Sequence, residues 1–212
     1  MFVRDCMTPK PITVRPESDP RAGLMLIKSG RFRHLPVVDG EDNLVGIVDR
    51  NDLETFLAQA GSPGIQKRQH RVDQAMTREV VTVSPDCPLE EAASLMVAHK
   101  IGSLPVLEEG RVVGIVTETD LFKQLAAVLG GGSDSLRLTV QVADAPGQLA
   151  ELAGRISRVG GNISSVVAYP AGQAGRLNIT LRVEQATHET VLGAVEDLPQ
   201  LQVIHAWGGG CE

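Results

Sequence analysis

Leu35-Pro36-Val37 followed by Val45-Gly46-Ile47-Val48, and Leu104-Pro105-Val106 followed by Val113-Gly114-Ile115-Val116, are one pattern written twice. Working outward, the match extends over most of the first 130 residues. At a shift of 69 residues, Met7-Thr8 falls on Met76-Thr77, Thr13-Val14 on Thr82-Val83, Pro16 on Pro85 and Leu26 on Leu95. One extra residue in the turn Gly40-Glu41-Asp42-Asn43 changes the shift to 68, after which Asp52-Leu53 falls on Asp120-Leu121. Collinear matches with a single insertion, placed in a turn, identify an internal repeat.

Each copy reads alike. A short strand (Ile12–Val14; Val81–Val83) leads through Pro into a helix with Pro20, Gly23, Leu24, Ile27 or Leu89, Ala92, Ala93, Met96 at helical spacing. A hairpin follows, Leu35–Val38 with Leu44–Val48 and Leu104–Leu107 with Val112–Val116, turning at Asp39-Gly40 and Glu109-Gly110. A second helix then places Leu53, Phe56, Leu57 or Leu121, Leu125, Leu129 inward. One copy buries too little apolar surface to stand alone, so the two are expected to pack sheet to sheet about a pseudo-two-fold axis. Gly61-Ser62-Pro63-Gly64 breaks the chain between them, and Gly130–Ser135 reads as a flexible linker.

A new pattern follows the linker. Leu136, Leu138, Val140 and Val142 alternate with polar residues, as in a half-buried strand. Asp144 is positioned to cap a helix bearing Leu149, Leu152, Ala153, Ile156 and Val159, which Gly160-Gly161 ends. Ile163–Tyr169 and Leu177–Val183 form a hairpin, Thr187 opens a helix with Val191, Leu192, Val195 and Leu198 inward, and Leu201–Trp207 is a last strand. The order βαββαβ is that of a ferredoxin-like fold. The expected fold class is α/β (α+β). The expected domains are 1–62, 63–129 and 136–208, with 130–135 as the linker.

Composition narrows the function. The chain has 212 residues, 42% hydrophobic and 22% charged, as globular domains do. No apolar run reaches the roughly 18 residues of a membrane span, and the opening MFVRDCMTPK has no secretion-type apolar core, so a cytoplasmic protein is expected. Cys6, Cys87 and Cys211 are scattered and lack a CxxC spacing, which excludes a disulfide framework or a cysteine zinc site. The five histidines show no HxH or HExxH, so no metal is expected. A net charge of −6, with four Phe, one Tyr and one Trp, ill suits nucleic acid. The basic runs Arg31–His34 and Lys67–Arg71 are short. Neither a nucleophile elbow nor a Walker loop occurs, so no catalytic residue is assigned and the chain reads as a non-enzyme.

The repeat resembles a tandem pair of CBS domains, a Bateman module. The resemblance rests on Met7-Thr8-Pro9, the two Leu-Pro-Val strands and the Gly-h-h-(Thr/Ser)-x-x-Asp stretch at Gly114–Asp120. The last module resembles an ACT domain through Asp144–Leu149 (Asp-x-Pro-Gly-x-Leu) and Gly160–Ile163 (Gly-Gly-Asn-Ile). The combined order is similar to acetoin-utilisation-type bacterial regulatory proteins.

The CBS resemblance implies an adenosine compound (AMP, ADP, ATP or a relative) in clefts between the copies. It gives one site with Thr117 and Asp120 on the ribose and adenine near Pro11, Ile12 and Thr13. It gives a second with Asp49 and Asp52, Val80, Val81 and Thr82, and Arg33 and His34 facing phosphate. Asp49 departs from the usual Thr/Ser, so two carboxylates crowd that sugar site. Gly102 and Ser103, where basic residues would stand for the first site, are not basic. The ACT resemblance implies a small ligand such as an amino acid near Asp144, Gly147, Asn162 and Ile163, at a homodimer interface.

Plainer readings stand beside these. Asp52 and Asp120 sit where a helix dipole alone favours an acid, and Asp49 fits an N-cap. Arg33 and His34 fit a solvated strand entry, Thr13 and Thr82 fit ordinary strand positions, and Asp144 and Asn162 fit turns. The expected function is a ligand-responsive regulator of an unidentified protein. The alternative is a constitutive oligomerisation scaffold without ligand.

Overall fold

The computed structural model describes residues 1–30, 32–60 and 70–208. Arg31, the break at 61–64, residues 67–69 of the second basic run and Cys211 lie outside the described residues. The chain divides into two compact units, Met1–Phe122 and one that begins at Lys123.

The first unit contains the first copy and the second as far as Phe122, within its last helix. After a 3-10 turn at Val3–Asp5 come β1 (Thr8–Pro9), α1 (Pro20–Ser29), β2 (His34–Val38), β3 (Leu44–Asp49) and α2 (Arg50–Ala60). After a second 3-10 turn at Val72–Gln74 come α3 (Leu89–His99), β4 (Ser103–Glu108), β5 (Arg111–Thr117) and α4 (Glu118–Val128). Asp19 caps α1, accepting from the Arg21 N–H at 2.8 Å, and Pro20 takes the first helical position, where its missing N–H costs nothing. Pro20, Gly23 and Ile27 are buried, as the helical spacing predicts.

The copies exchange their leading segments. β1 pairs with β5, matching Thr8 to Ile115, while Thr77 bridges Ile47 with both N–H···O distances at 2.9 Å. Val3, Cys6 and Met7 pack in the core of Val83, Ala92, Met96, Leu104, Val106 and Val116. Val72, Ala75 and Met76 pack in the core of Val14, Ile27, Leu35, Val37, Val48 and Leu53. The stretch before each copy therefore completes the sheet and core of the other. This explains the glycine of each Val-Gly-Ile-Val strand. A Cβ on Gly46 would lie 2.5 Å from Met76 Sδ and 2.9 Å from the Thr77 carbonyl oxygen; on Gly114 it would lie 2.5 Å from Met7 Sδ.

Three expectations need correction here. The strands Ile12–Val14 and Val81–Val83 shrink to single parallel bridges, Val14 to Val37 and Val83 to Val106. The next donor in register falls on Pro16 and Pro85, which have no N–H. The first hairpin does not turn on Gly40: the left-handed residue is Asp42 (φ 67°), and Asp39 accepts from the Glu41 and Asn43 N–H groups. The second hairpin does turn through Glu109 and Gly110 (φ 50° and 82°). On α4, Leu121 packs on the core, but Leu125, and Leu129 just past the helix end, are 55% and 39% exposed and so are not inward.

The second unit is the expected βαββαβ: β6 (Leu136–Ala143), α5 (Gln148–Arg158), β7 (Asn162–Pro170), β8 (Arg176–Glu184), α6 (His188–Val195) and β9 (Gln202–Trp207). The antiparallel sheet runs β7-β8-β6-β9. Leu136, Leu138, Val140 and Val142 share a core with Leu152, Ile156, Val191, Val195 and Leu198. Thr187 caps α6 through the Thr190 N–H. Asp144 does not cap α5; Gly147 does, at φ 91°, and Leu149 in the first turn is 44% exposed.

The Gly/Ser segment is not a bare tether. Arg182, itself buried, donates from Nε to the Leu129 carbonyl and from Nη1 to the Ser135 carbonyl, both at 3.2 Å. The Gly131 N–H donates to the Ala126 carbonyl at 2.7 Å, and Ser133 Oγ to Gly130 at 2.9 Å. Gly130 needs to be glycine: its φ is 68°, and a Cβ would lie 2.8 Å from Arg182 Cγ.

Candidate functional site

The Thr117 and Asp120 pair sits where β5 hands over to α4. Thr117 donates to Asp120 Oδ2 from its backbone N–H at 3.0 Å and from Oγ1–H at 2.7 Å, while the Asp120 N–H reaches Thr117 Oγ1 at 3.4 Å. This is a reciprocal cap of a helix N-terminus. Both residues are half-buried. Asp120 Oδ1 takes no part in the cap bonds, so a diol hydroxyl approaching that oxygen would meet an acceptor. The pair therefore serves the structural role, and the geometry leaves the sugar role compatible with it.

The first copy builds the same cap from two acids. The Asp49 N–H donates to Asp52 Oδ2 at 3.0 Å and the Asp52 N–H to Asp49 Oδ1 at 2.8 Å. Burial pushes the Asp52 carboxyl up, and the Asp49 charge adds to that. The crowding read from the sequence is thus present in space.

The exchange of leading segments sets what lies beside each pair. The Lys10 N–H donates to the Val113 carbonyl at 3.0 Å, so the stretch Pro11, Ile12, Thr13 leaves from the strand that ends in Thr117. Cys6, in the same leading segment, has its thiol pushed up by burial and then by the charges of Asp120 and Asp5. In the other copy Val80, Val81 and Thr82 follow Thr77, which bridges β3, the strand that ends in Asp49. Ile12 is half exposed, and Pro11, Thr13, Val80, Val81 and Thr82 are half-buried or close to it.

A cavity of about 310 Å³ draws on both copies. Arg33, His34, Asp49, Arg50 and Asn51 line it from the first; Gly102 and Glu118 line it from the second. It joins the phosphate-facing candidates Arg33 and His34 to Asp49, but Asp52, Thr117 and Asp120 do not line it. Burial lowers the His34 pKa below its ordinary value; the charges of Asp49 and Glu118 oppose this and that of Arg33 adds to it. The imidazole is therefore mainly neutral at pH 7. Arg50, Asn51 and Glu118 were missed in the sequence. The signal was there: Arg50 and Glu118 occupy the same repeat position, directly after each cap residue, with inverted charge.

In the second unit the expected ligand residues do not meet. β6 ends at Ala143, opposite Arg176, whereas Asn162 opens β7 opposite Glu184. Asp144 and Gly147 are thus at one end of the sheet, Asn162 and Ile163 at the other. Asp144 is exposed and its N–H donates to the Gly175 carbonyl; Ile163 packs on the core. A second cavity, about 350 Å³, lies between Ser133–Leu136 and Val183–Ala186. Among the described residues no group of three His, Cys, Asp or Glu is placed to hold a metal, and no helix is long and apolar enough to cross a membrane.

Two half-modules that complete one another around a shared cleft, followed by a βαββαβ unit, define an α+β protein assembled from regulatory modules. The chain belongs to the CBS domain family: residues 3–59 and 72–127 match the CBS domain, and residues 136–200 match the ACT domain. A CBS domain-containing protein of Dictyostelium discoideum is 33% identical over 136 residues, covering 61% of this chain and 94% of its own. An inosine-5'-monophosphate dehydrogenase of Methanocaldococcus jannaschii is 32% identical over 64% of this chain, but the match spans only 26% of that enzyme. Solved structures that resemble the chain include three with named CBS pairs or relatives. The CBS domain pair of protein MJ0100, in complex with 5'-methylthioadenosine and S-adenosyl-L-methionine, covers 60% of this chain and 97% of its own at 30% identity, with a TM-score of 0.54. The acetoin utilization protein AcuB of Vibrio cholerae covers 61% and 93% at 32% identity and a TM-score of 0.53. CBSX2 in complex with AMP covers 60% and 97% at 28% identity and a TM-score of 0.54.

Proposed function

We propose that the chain is a non-catalytic regulatory protein that binds an adenosine compound between its CBS copies. The observation that supports this is the exchange of leading segments: it joins the opening segment of one copy to the strand that ends in the capped acid pair of the other. A ligand spanning the two contacts both copies at once and favours one arrangement of them. Thr117 and Asp120 hold the ribose with adenine near Pro11, Ile12 and Thr13; Asp49 and Asp52 do so with Val80, Val81 and Thr82, and Arg33 and His34 face the 5' substituent. Similarity to CBS pairs solved with AMP and with S-adenosyl-L-methionine supports the ligand class.

The ACT domain dimerises and takes an amino acid as second effector. Asp144 and Gly147 stand at the sheet end opposite Asn162 and Ile163, so a site using both pairs needs a second copy of the chain. A cytoplasmic homodimer acting on a partner protein follows, with no nucleic acid or membrane partner. The scaffold alternative is favoured by the self-satisfied caps, which already occupy one oxygen of each carboxylate.

A thermal-shift titration separates the two. At ligand near 100 times Kd the folded state gains about 2.7 kcal/mol. An upward shift with an adenosine compound, lost in Asp120→Ala or in Asp52→Ala, supports the sensor. No shift with any adenosine compound at millimolar concentration leaves the scaffold.

A further inference from the structure

The cavity between the copies has two charges that the nucleotide reading does not use, Arg50 and Glu118. Among the described residues it presents two cations, Arg33 and Arg50, and two carboxylates, Asp49 and Glu118. The repeat sets the pattern. Arg33 corresponds to Gly102 and Arg50 to Glu118, so the basic positions of the first copy face an empty position and an acid in the second. Glu118 uses that empty position: its Oε2 lies 3.3 Å from where a Cβ on Gly102 would be, with His34 Cε1 at 3.9 Å from the same point. A side chain at 102 would displace the carboxylate. His34, held mainly neutral by burial, adds little charge.

The cavity adjoins both sugar sites. Asp49 lines it and is bonded to Asp52, and Glu118 directly follows Thr117. A sugar held at either pair would have this space beside it, next to Asp49 or Glu118. A polyphosphate there would bring several negative charges against Asp49 and Glu118, which two arginines already balance. A group carrying one positive and one negative charge would meet a partner for each.

We infer that the cavity accepts a 5' substituent bearing both an ammonium and a carboxylate, so the chain prefers a zwitterionic adenosine compound to a phosphorylated one, with Glu118 setting the preference. This rests on the adenosine reading above.

The test is isothermal titration of the full chain with S-adenosylhomocysteine, AMP and ATP, the last with and without magnesium. S-adenosylhomocysteine is expected to bind at least roughly tenfold more tightly than AMP or ATP. Glu118→Gln removes the ammonium partner and one repelling charge. It is expected to weaken S-adenosylhomocysteine and strengthen ATP, closing the gap roughly tenfold. Arg50→Gln is expected to weaken both. Both side chains are exposed, and an unchanged melting temperature confirms that the variants fold. Tighter binding of AMP or ATP in either metal condition, or an unaltered ratio in Glu118→Gln, overturns the inference while leaving the adenosine reading standing. Binding of no adenosine compound overturns both.

Discussion

At the scale of residues, the sharpest constraint is the absence of a Cβ at Gly46. The obstacle there is backbone as well as side chain: Met76 can swing away, but the Thr77 carbonyl belongs to the strand bridge. Gly46→Ala is therefore expected to cost about 1–3 kcal/mol in urea denaturation. Gly114→Ala is expected to cost less, since its nearest backbone atom is 3.3 Å away and Met7 is flexible. Gly40→Ala is the control. Gly40 has no described neighbour within 4 Å of a Cβ, so the change is neutral or stabilises by up to about 1 kcal/mol. Equal losses at Gly40 and Gly46 would contradict the close-approach explanation.

The acid pair gives a pH test at the same scale. Asp52 has a raised pKa in the folded state, so folding favours its protonated form. Its charged form lowers stability at neutral pH, and that loss disappears as pH falls through the raised value and below the ordinary 3.8. Asp52→Asn keeps an oxygen for the Asp49 N–H and removes the charge. The variant is expected to melt higher than the parent at pH 7 and at the same temperature near pH 3. A lower melting temperature at pH 7 would mean that the carboxylate stabilises the cap. The sequence disclosed this pair because Asp49 breaks the Thr/Ser pattern; it did not disclose how far each acid is already occupied as a cap.

At the scale of elements, most helices and hairpins were legible because their apolar spacing survives in the fold. Leu136, Leu138, Val140 and Val142 alternate and are buried, although Thr139 between them is buried too; Val191, Val195 and Leu198 face inward as spaced. The failures have local causes. Leu125 on α4 and Leu129 just past its end keep helical spacing, yet spacing reports a stripe and not what covers it. Glycines suggested a loose segment at 130–132, whereas positive φ at Gly130 and Gly132 lets the backbone turn while Arg182 holds its carbonyls. That arginine lies fifty residues away and carries no motif. Arg182→Ala is expected to destabilise the second unit by about 1–3 kcal/mol and to speed proteolysis within 129–135. Arg182→Lys restores only part, because one ammonium does not reproduce the two-armed fork. Proteolysis unchanged in both variants would show that the segment is held by its own turns.

At the scale of the whole chain, the repeat revealed two copies but hid their exchange. Met7-Thr8 and Met76-Thr77 match one another, and that match is satisfied whether each pair serves its own copy or the other. Only pairing across the copies decides it. The decision matters for the proposed function, because a site assembled from exchanged segments forms only when both copies are folded. It also makes a thermodynamic prediction that separate domains would not. Val3 is fully buried at the start of the first copy, yet it packs among Leu104, Val106 and Val116 of the second. Val3→Ala is expected to cost about 2 kcal/mol. In hydrogen exchange the loss of protection appears first in β4, β5 and α3, a hundred residues along the chain, and only later in the adjacent β2 and β3. Val72→Ala is the mirror experiment, since Val72 is fully buried in the core of the first copy and its loss is read in β2, β3 and α1. If each substitution loosens its own copy first, the exchange is wrong, and with it the reason for assigning Pro11–Thr13 to the site of Asp120.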